Sequence, residues 1–167
     1  QQPSLDDHCI AVTSLSRLDH HRARQTACLD SWRRFGLSII AVNQPSEMEL
    51  LQEAYPQVDR WIENDVPNEN YERHMQRIKH LANVATVIDQ TILLINSDIE
   101  IYGGQGMITG PMAEGKQVVG IRWNYPENDY ESAERERWGL DTFSFTPELA
   151  RSLPELDLTI GRPMWDY

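Results

Sequence analysis

Basic charge is scarce in this chain, and so are cysteine and long apolar runs. Only 15 Lys and Arg residues stand against 26 Asp and Glu, a net charge of −11. That balance argues against a nucleic-acid partner, for which a basic face supplies most of the affinity. It also means that a phosphate-bearing ligand needs a metal ion or a few local Arg residues. The two cysteines, Cys9 and Cys28, are too few for a disulfide framework and read as buried free thiols. No apolar stretch approaches the roughly 20 residues of a membrane span. No signal-like segment is visible either, which implies a cytoplasmic protein, although the chain begins at Gln1 without Met.

What is present is an ordinary globular composition, 40% hydrophobic and 25% charged over 167 residues, enough for one domain with a real core. The chain is organised around Thr91–Tyr102, TILLINSDIEIY. Ile92–Ile95, with Thr91 in front, is a short continuous apolar run suited to a strand covered on both faces. It stops at Asn96-Ser97-Asp98, and the alternation Ile99-Glu100-Ile101-Tyr102 leads on to Gly103-Gly104. Acidic residues at the carboxyl end of a buried strand lie where open α/β sheets bind ligands. Asp98 and Glu100 supply hard oxygen ligands suited to Mg²⁺ or Mn²⁺ beside a phosphate. The same Asn-Ser-Asp is also good turn chemistry.

The preceding chain alternates strand and helix. His8–Thr13 is a first strand, and the helix after it runs to about Phe35, with Ser16 and Asp19 in capping spacing. Leu18, Gln25, Cys28, Trp32 and Phe35 share one side of that helix, and Gly36 falls where a left-handed cap belongs. Leu37–Val42 is a second strand closing at Asn43. A helix opens at Pro45-Ser46, with Ser46 and Glu49 in capping spacing and Leu50, Leu51 and Ala54 on its apolar side. Val58–Ile62 is a third strand, ending in Glu63-Asn64-Asp65. A helix over Glu69–Ala85 places Tyr71, Met75, Ile78, Ala82 and Ala85 on one face. The alternation predicts an open α/β fold with a mostly parallel sheet flanked by helices.

After Gly104 the pattern turns irregular and mixed. Gly106–Ala113 reads as a short helix or turn interrupted by Pro111, Gln117–Trp123 as a strand and Asn124–Arg137 as a loop or frayed helix. Trp138–Phe145 alternates like a strand, and Pro147–Ser152 is a short helix with Pro in its first turn. The five histidines show no metal-ligand spacing, and His20, His21, His74 and His80 read as surface residues.

In this order and spacing the chain resembles the GT-A-fold glycosyltransferases, Rossmann-like enzymes that use nucleotide sugars. Three places carry the likeness. They are Thr13-Ser14 followed by Ala27-Cys28-Leu29-Asp30-Ser31-Trp32, the DxD-like element Asn96-Ser97-Asp98, and Trp138–Phe145 together with Ile160–Asp166. The resemblance implies a single domain, with residues 8–104 as the nucleotide-binding half and 105–167 as a short acceptor-side half. It implies that Asp98, with Glu100, holds a divalent metal bridging the diphosphate. Asn96 stands where the first acidic residue of that element contacts ribose or metal; an Asn still accepts a ribose hydroxyl's hydrogen bond but brings no charge. Thr13, Ser14 and Arg17 would line the nucleotide pocket, Asn43 and Asp65 would read the base and ribose, and Ser97 and Arg77 would reach the nucleotide. Asp141 and Asp166 would meet the acceptor, one of them as general base. Trp138 and Trp165 suit stacking on sugar rings, although large aromatics more often pack.

The implied reaction moves a sugar from a nucleotide-diphosphate donor to a glycan or other hydroxyl acceptor, with inversion or retention left open. Two alternatives stand beside it. A nucleotidyltransferase of similar architecture expects a glycine-rich phosphate loop after the first strand, and Thr13–Arg22 contains no Gly. A catalytically silent nucleotide-sugar or glycan-binding domain is favoured by Asn96 and by the short acceptor side, which also makes a homo-oligomer worth checking.

Overall fold

A computed structural model of the chain describes residues 9–65, 76–103, 106–120, 123–124, 132, 134–135, 141–155, 158 and 160. Trp138, Trp165, Asp166 and His74 lie outside them, as does the 69–75 part of the expected third helix.

The elements run β1 (Ile10–Thr13), α1 (Asp19–Arg34), β2 (Ser38–Asn43), α2 (Met48–Ala54), β3 (Arg60–Glu63), α3 (Ile78–Ala82), α4 (Val84–Ile88) and β4 (Ile92–Ile95). They continue with α5 (Gly106–Ala113), β5 (Val119–Gly120), β6 (Trp123–Asn124), β7 (Glu134–Arg135), β8 (Thr142–Phe145) and α6 (Pro147–Ser152). One six-stranded sheet has the order β3-β2-β1-β4-β8-β5. The first four strands are mutually parallel; β8 runs antiparallel to β4 and to β5. This is the open, mostly parallel, helix-flanked sheet that the alternation predicts.

Every residue of β1, β2 and β4 is buried, so their apolar runs need no polar alternation. Successive side chains go to opposite faces and build two cores. Ala11, Ile39, Ala41, Leu93 and Ile95 pack with Cys28, Leu29 and Trp32 of α1 and with Leu51 of α2. Ile10, Val12, Ile40, Ile92 and Leu94 pack with Leu81 of α3, Ala85 of α4 and Ala150 of α6.

Several expectations need correction. Helix α1 starts at Asp19 without a side-chain cap, because Ser16 belongs to the loop: its N–H donates to Gln25 Oε1 (2.8 Å) and its hydroxyl accepts from Leu18 N. Residues Pro45–Glu47 form a 3-10 turn before α2; Ser46 does not cap it, and Leu50 faces solvent while Met48 and Leu51 turn inward. The third strand starts two residues later and ends one residue later, at Arg60–Glu63, and the next helix breaks at Asn83. The expected strand over Gln117–Trp123 divides, Val119–Gly120 joining the main sheet and Trp123–Asn124 pairing with Glu134–Arg135. Gly36, at φ 81°, does close α1, with Leu37 N–H donating to Trp32 O (3.1 Å).

Candidate functional site

The strand order places a topological switch point between β1 and β4: the connection from β1 leads to β2 on one side, while β4 lies on the other. The crevice beyond the carboxyl ends of strands at such a point is where open α/β sheets bind ligands. At this edge the fold gathers Thr13 ending β1 and Ser14 after it, Asn43 ending β2, Asp65 after β3, and Asn96, Ser97 and Asp98 after β4. Antiparallel β8 begins there, so Asp141, just ahead of it, comes to the same edge.

The loops of this edge are closed by side chains bonded to main chain. Asn43 is fully buried; its Nδ2 donates to Leu15 O (2.8 Å) and Glu47 Oε2 (3.3 Å), and its Oδ1 accepts from Leu15 N (3.2 Å). Its amide therefore clamps the β1–α1 loop onto β2 instead of facing a base or ribose. Gln25, also buried, bridges Ser16 O (2.9 Å) and the Tyr55 hydroxyl (2.6 Å). Arg17 is about half exposed, with Nε 3.7 Å from Glu47 Oε1.

Thr13 differs from these clamps. It is fully buried, yet its hydroxyl has no hydrogen-bond partner among the described residues. Such an atom costs about 1–3 kcal/mol unless something satisfies it.

Asn96 and Asp141 extend the β4–β8 ladder by one pair. Asn96 N–H donates to Asp141 O (3.2 Å), and Asn96 Nδ2 donates to Asp141 Oδ1 (2.9 Å). Both residues are buried, Asp141 at 3% exposure. This bond orients the Asn96 amide with Nδ2 toward Asp141 and leaves Oδ1 as the acceptor away from it. The resemblance implies that Asp141 meets the acceptor. One of its carboxylate oxygens meets this Asn, 45 residues earlier.

Asp98 is exposed in the turn closed by Ile99 N–H to Asn96 O (3.2 Å), and Ser97 is half-buried beside it. Glu100 accepts from the Tyr102 hydroxyl. These acids overlie α1: the Cys28 thiol is pushed up to about 12, first by burial, then by the Glu100 and Asp98 carboxylates. That thiol is inert. Cys9 and Cys28 are both free, as expected, with Cys9 half-buried. Asp98 and Glu100 fit an ion that takes one or two carboxylates and completes its shell with phosphate oxygens and water. They do not make a protein cage, since no group of three or more His, Cys, Asp or Glu among the described residues is arranged to hold a metal.

Beyond β3 the sequence reading missed a polar cluster. Asn64 Nδ2 reaches Gln76 Oε1 (2.7 Å) and His80 Nδ1 (2.9 Å), and Gln76 Nε2 donates back to Asn64 O (3.1 Å). Two main-chain bonds, Ile78 N to Leu158 O (2.8 Å) and Ile160 N to Gln76 O (3.0 Å), tie the late chain to the start of α3. His80 is thus half-buried rather than a surface residue. Burial, then the neighbouring Arg77, lowers its pKa below the ordinary value, with Glu155 opposing. Arg77 is itself half-buried at the head of α3, and Asp65 is exposed. His20 and His21 lie against each other near the start of α1, with ring centroids 4.1 Å apart and planes tilted by 43°.

No family model matches the chain, and no curated protein matches it. Among solved structures it is similar to 4-diphosphocytidyl-2C-methyl-D-erythritol synthase from Anaerococcus prevotii DSM 20548, with a TM-score of 0.50 and 11% identity over 87% of this chain and 73% of that one. At that identity the likeness is one of fold: the same kind of mostly parallel, Rossmann-like α/β sheet. No helix among the described residues is long and apolar enough to cross a membrane.

Proposed function

We propose that the chain is a nucleotide-dependent transferase, with its nucleotide lying across the carboxyl edge of β1 to β4 and its phosphates beside Asp98. The observation that carries this reading is what the switch-point crevice leaves available. Its loop amides are used internally, while the Asn96 carbonyl oxygen and the exposed Asp98 carboxylate stand at that edge, with Glu100, bonded to the Tyr102 hydroxyl, beside them and the unpartnered Thr13 hydroxyl buried behind. In this reading Asn96 Oδ1 accepts from a ribose hydroxyl, and Asp141 fixes the amide in that sense. Asp98 and Glu100 hold Mn²⁺ or Mg²⁺, which when bound stabilises charge on the departing phosphate. Ser14, Arg17, Asp65, Arg77 and Ser97 surround the nucleotide.

Two finer readings differ in the bond that breaks. In sugar transfer from a nucleotide-diphosphate sugar, the bond from the anomeric carbon to the diphosphate oxygen breaks, and an acceptor hydroxyl takes its place after giving its proton to a carboxylate such as Asp166. The β1–α1 loop favours this reading. The N–H groups of Leu15, Ser16 and Leu18 are all spent on side-chain acceptors, which leaves the loop fewer amides to offer a triphosphate. The second reading is nucleotidyl transfer. The structural comparison backs it better than it backs sugar transfer, because the similar structure is a synthase named for a diphosphocytidyl product.

Calorimetric titration with UDP, GDP and CTP, each with and without Mn²⁺, tests the shared premise. Incubation with nucleotide sugars and with nucleoside triphosphates then separates the two readings. Slow release of free sugar and nucleoside diphosphate marks sugar transfer, and release of pyrophosphate marks nucleotidyl transfer. Binding with neither product marks a silent binding domain, and no binding by folded protein rejects the proposal.

A further inference from the structure

Residues 97–103, which carry Asp98 and Glu100, belong to no strand, so no ladder holds them. Helix α1 does. The indole N–H of Trp32, a fully buried residue, donates to Ile99 O (2.8 Å). Ile101 N–H donates to the Ser31 hydroxyl (3.1 Å), which in turn donates to Cys28 O one helical turn back (2.7 Å). Ile99 and Ile101 pack, partly buried, against the same core as Trp32. Asp98 is exposed in the turn at the head of this segment and Glu100 is half-buried, both near enough to α1 for their carboxylates to act on the Cys28 thiol.

We propose that Ser31 and Trp32 are positioning residues for the acidic pair. They pin the main chain on both sides of Glu100 to the buried face of α1, and so set the direction in which Asp98 and Glu100 meet a divalent cation and the diphosphate it accompanies. The inference rests on the nucleotide reading above. Neither residue touches the ligand; each acts through one main-chain group of the segment. Outer supports of this kind typically change ion affinity by 10–100-fold when removed.

The test compares the full chain with Ser31→Ala and with Trp32→Phe, which keeps an aromatic ring and loses the N–H. Folding is checked by circular dichroism and thermal melting, and Mn²⁺ binding by electron paramagnetic resonance. Mn²⁺-dependent UDP and GDP binding is followed by calorimetry. Gly120→Ala, on the far edge strand β5, serves as a variant destabilised elsewhere. The expected result is a loss of Mn²⁺ and Mn²⁺–nucleotide affinity of about tenfold in the folded Ser31 and Trp32 variants and none in Gly120→Ala. Should Trp32→Phe not fold, Ser31→Ala alone decides. Affinity within twofold of wild type in a folded variant overturns the positioning role, as does an equal loss in Gly120→Ala. Nucleotide binding that needs no Mn²⁺ overturns it too, because the acids then hold no ion. Wild-type protein that binds neither nucleotide rejects the nucleotide reading, and the positioning role falls with it.

Discussion

The parallel half of the sheet, β3-β2-β1-β4, and the antiparallel half, β8-β5, are held by different means. In the first, β1, β2 and β4 are fully buried and side chains lock the β1–α1 loop to main chain, Asn43 onto Leu15 and Gln25 onto Ser16, while Asp59 holds Ile39 N (2.8 Å) at the amino end of β2. In the second, β5 is two residues long with Val119 exposed. Its attachment to β8 relies on close packing and on Ser144, whose N–H donates to Val118 O (2.8 Å) while its hydroxyl accepts from Val118 N (2.6 Å). The difference says where the crevice is rigid. Its β1–β2 wall is fixed by polar bonds that leave few spare groups, so the groups that remain there stand out.

The sharpest way to break this comparison is to unlock one wall. Asn43→Leu removes three hydrogen bonds and strands both polar groups of Leu15 inside the protein. We expect a loss of about 3 kcal/mol in urea unfolding. The matching change on the other half is Gly120→Ala, whose added Cβ would meet Thr142 Cβ at 2.7 Å and Oγ1 at 3.1 Å. Overpacking of that kind costs about 1–3 kcal/mol, and a two-residue edge strand can shift to relieve part of it. A larger loss at Gly120 than at Asn43 would invert the comparison.

The same contrast governs what could be read from sequence. β1, β2 and β4 were legible because strands buried on both faces are continuous apolar runs, and the site edge followed from their carboxyl ends. Capping was misread at Ser16 and Ser46, since a serine ahead of a helix serves a loop equally well. The available clue was Gln25, a polar residue on the otherwise apolar side of α1, which is the residue that captures Ser16. The alternation over Ile99–Tyr102 was real, but its partner is a helix, and a local pattern does not say what lies opposite. The Asn96–Asp141 pair depends on an antiparallel register set 45 residues away. Residues Asn64, Gln76 and His80 meet only through tertiary folding, so nothing in their spacing announced them.

A subtler way to sharpen the comparison is to ask which unspent group serves a ligand. Thr13→Val exchanges the unpartnered hydroxyl for a methyl at nearly constant shape. We expect stability unchanged or raised by up to about 1 kcal/mol, because a buried donor without a partner is removed. Nucleotide affinity should meanwhile fall several-fold. A drop in stability with affinity intact would mean that the hydroxyl serves the fold.

The smallest effect is expected at the junction of the halves, where Asn64, Gln76 and His80 meet the late chain at residues 158 and 160. Burial and Arg77 lower the His80 pKa below its ordinary 6.5, so the folded state prefers the neutral ring. The unfolded chain takes up the proton first as pH falls, and protonation therefore favours unfolding. The stability contributed by neutral His80 is present above about pH 6.5 and is lost as pH falls through the lower folded-state value. His80→Gln keeps an acceptor for Asn64 Nδ2 and does not titrate. Melting temperatures measured from pH 7.5 to 5 should fall more steeply for wild type than for His80→Gln. Parallel curves would mean that Glu155, the charge opposing the shift, balances burial, and that this junction does not respond to pH. A steeper wild-type curve would show that the polar contact beside this junction is weaker than the Asn43 lock and depends on staying uncharged.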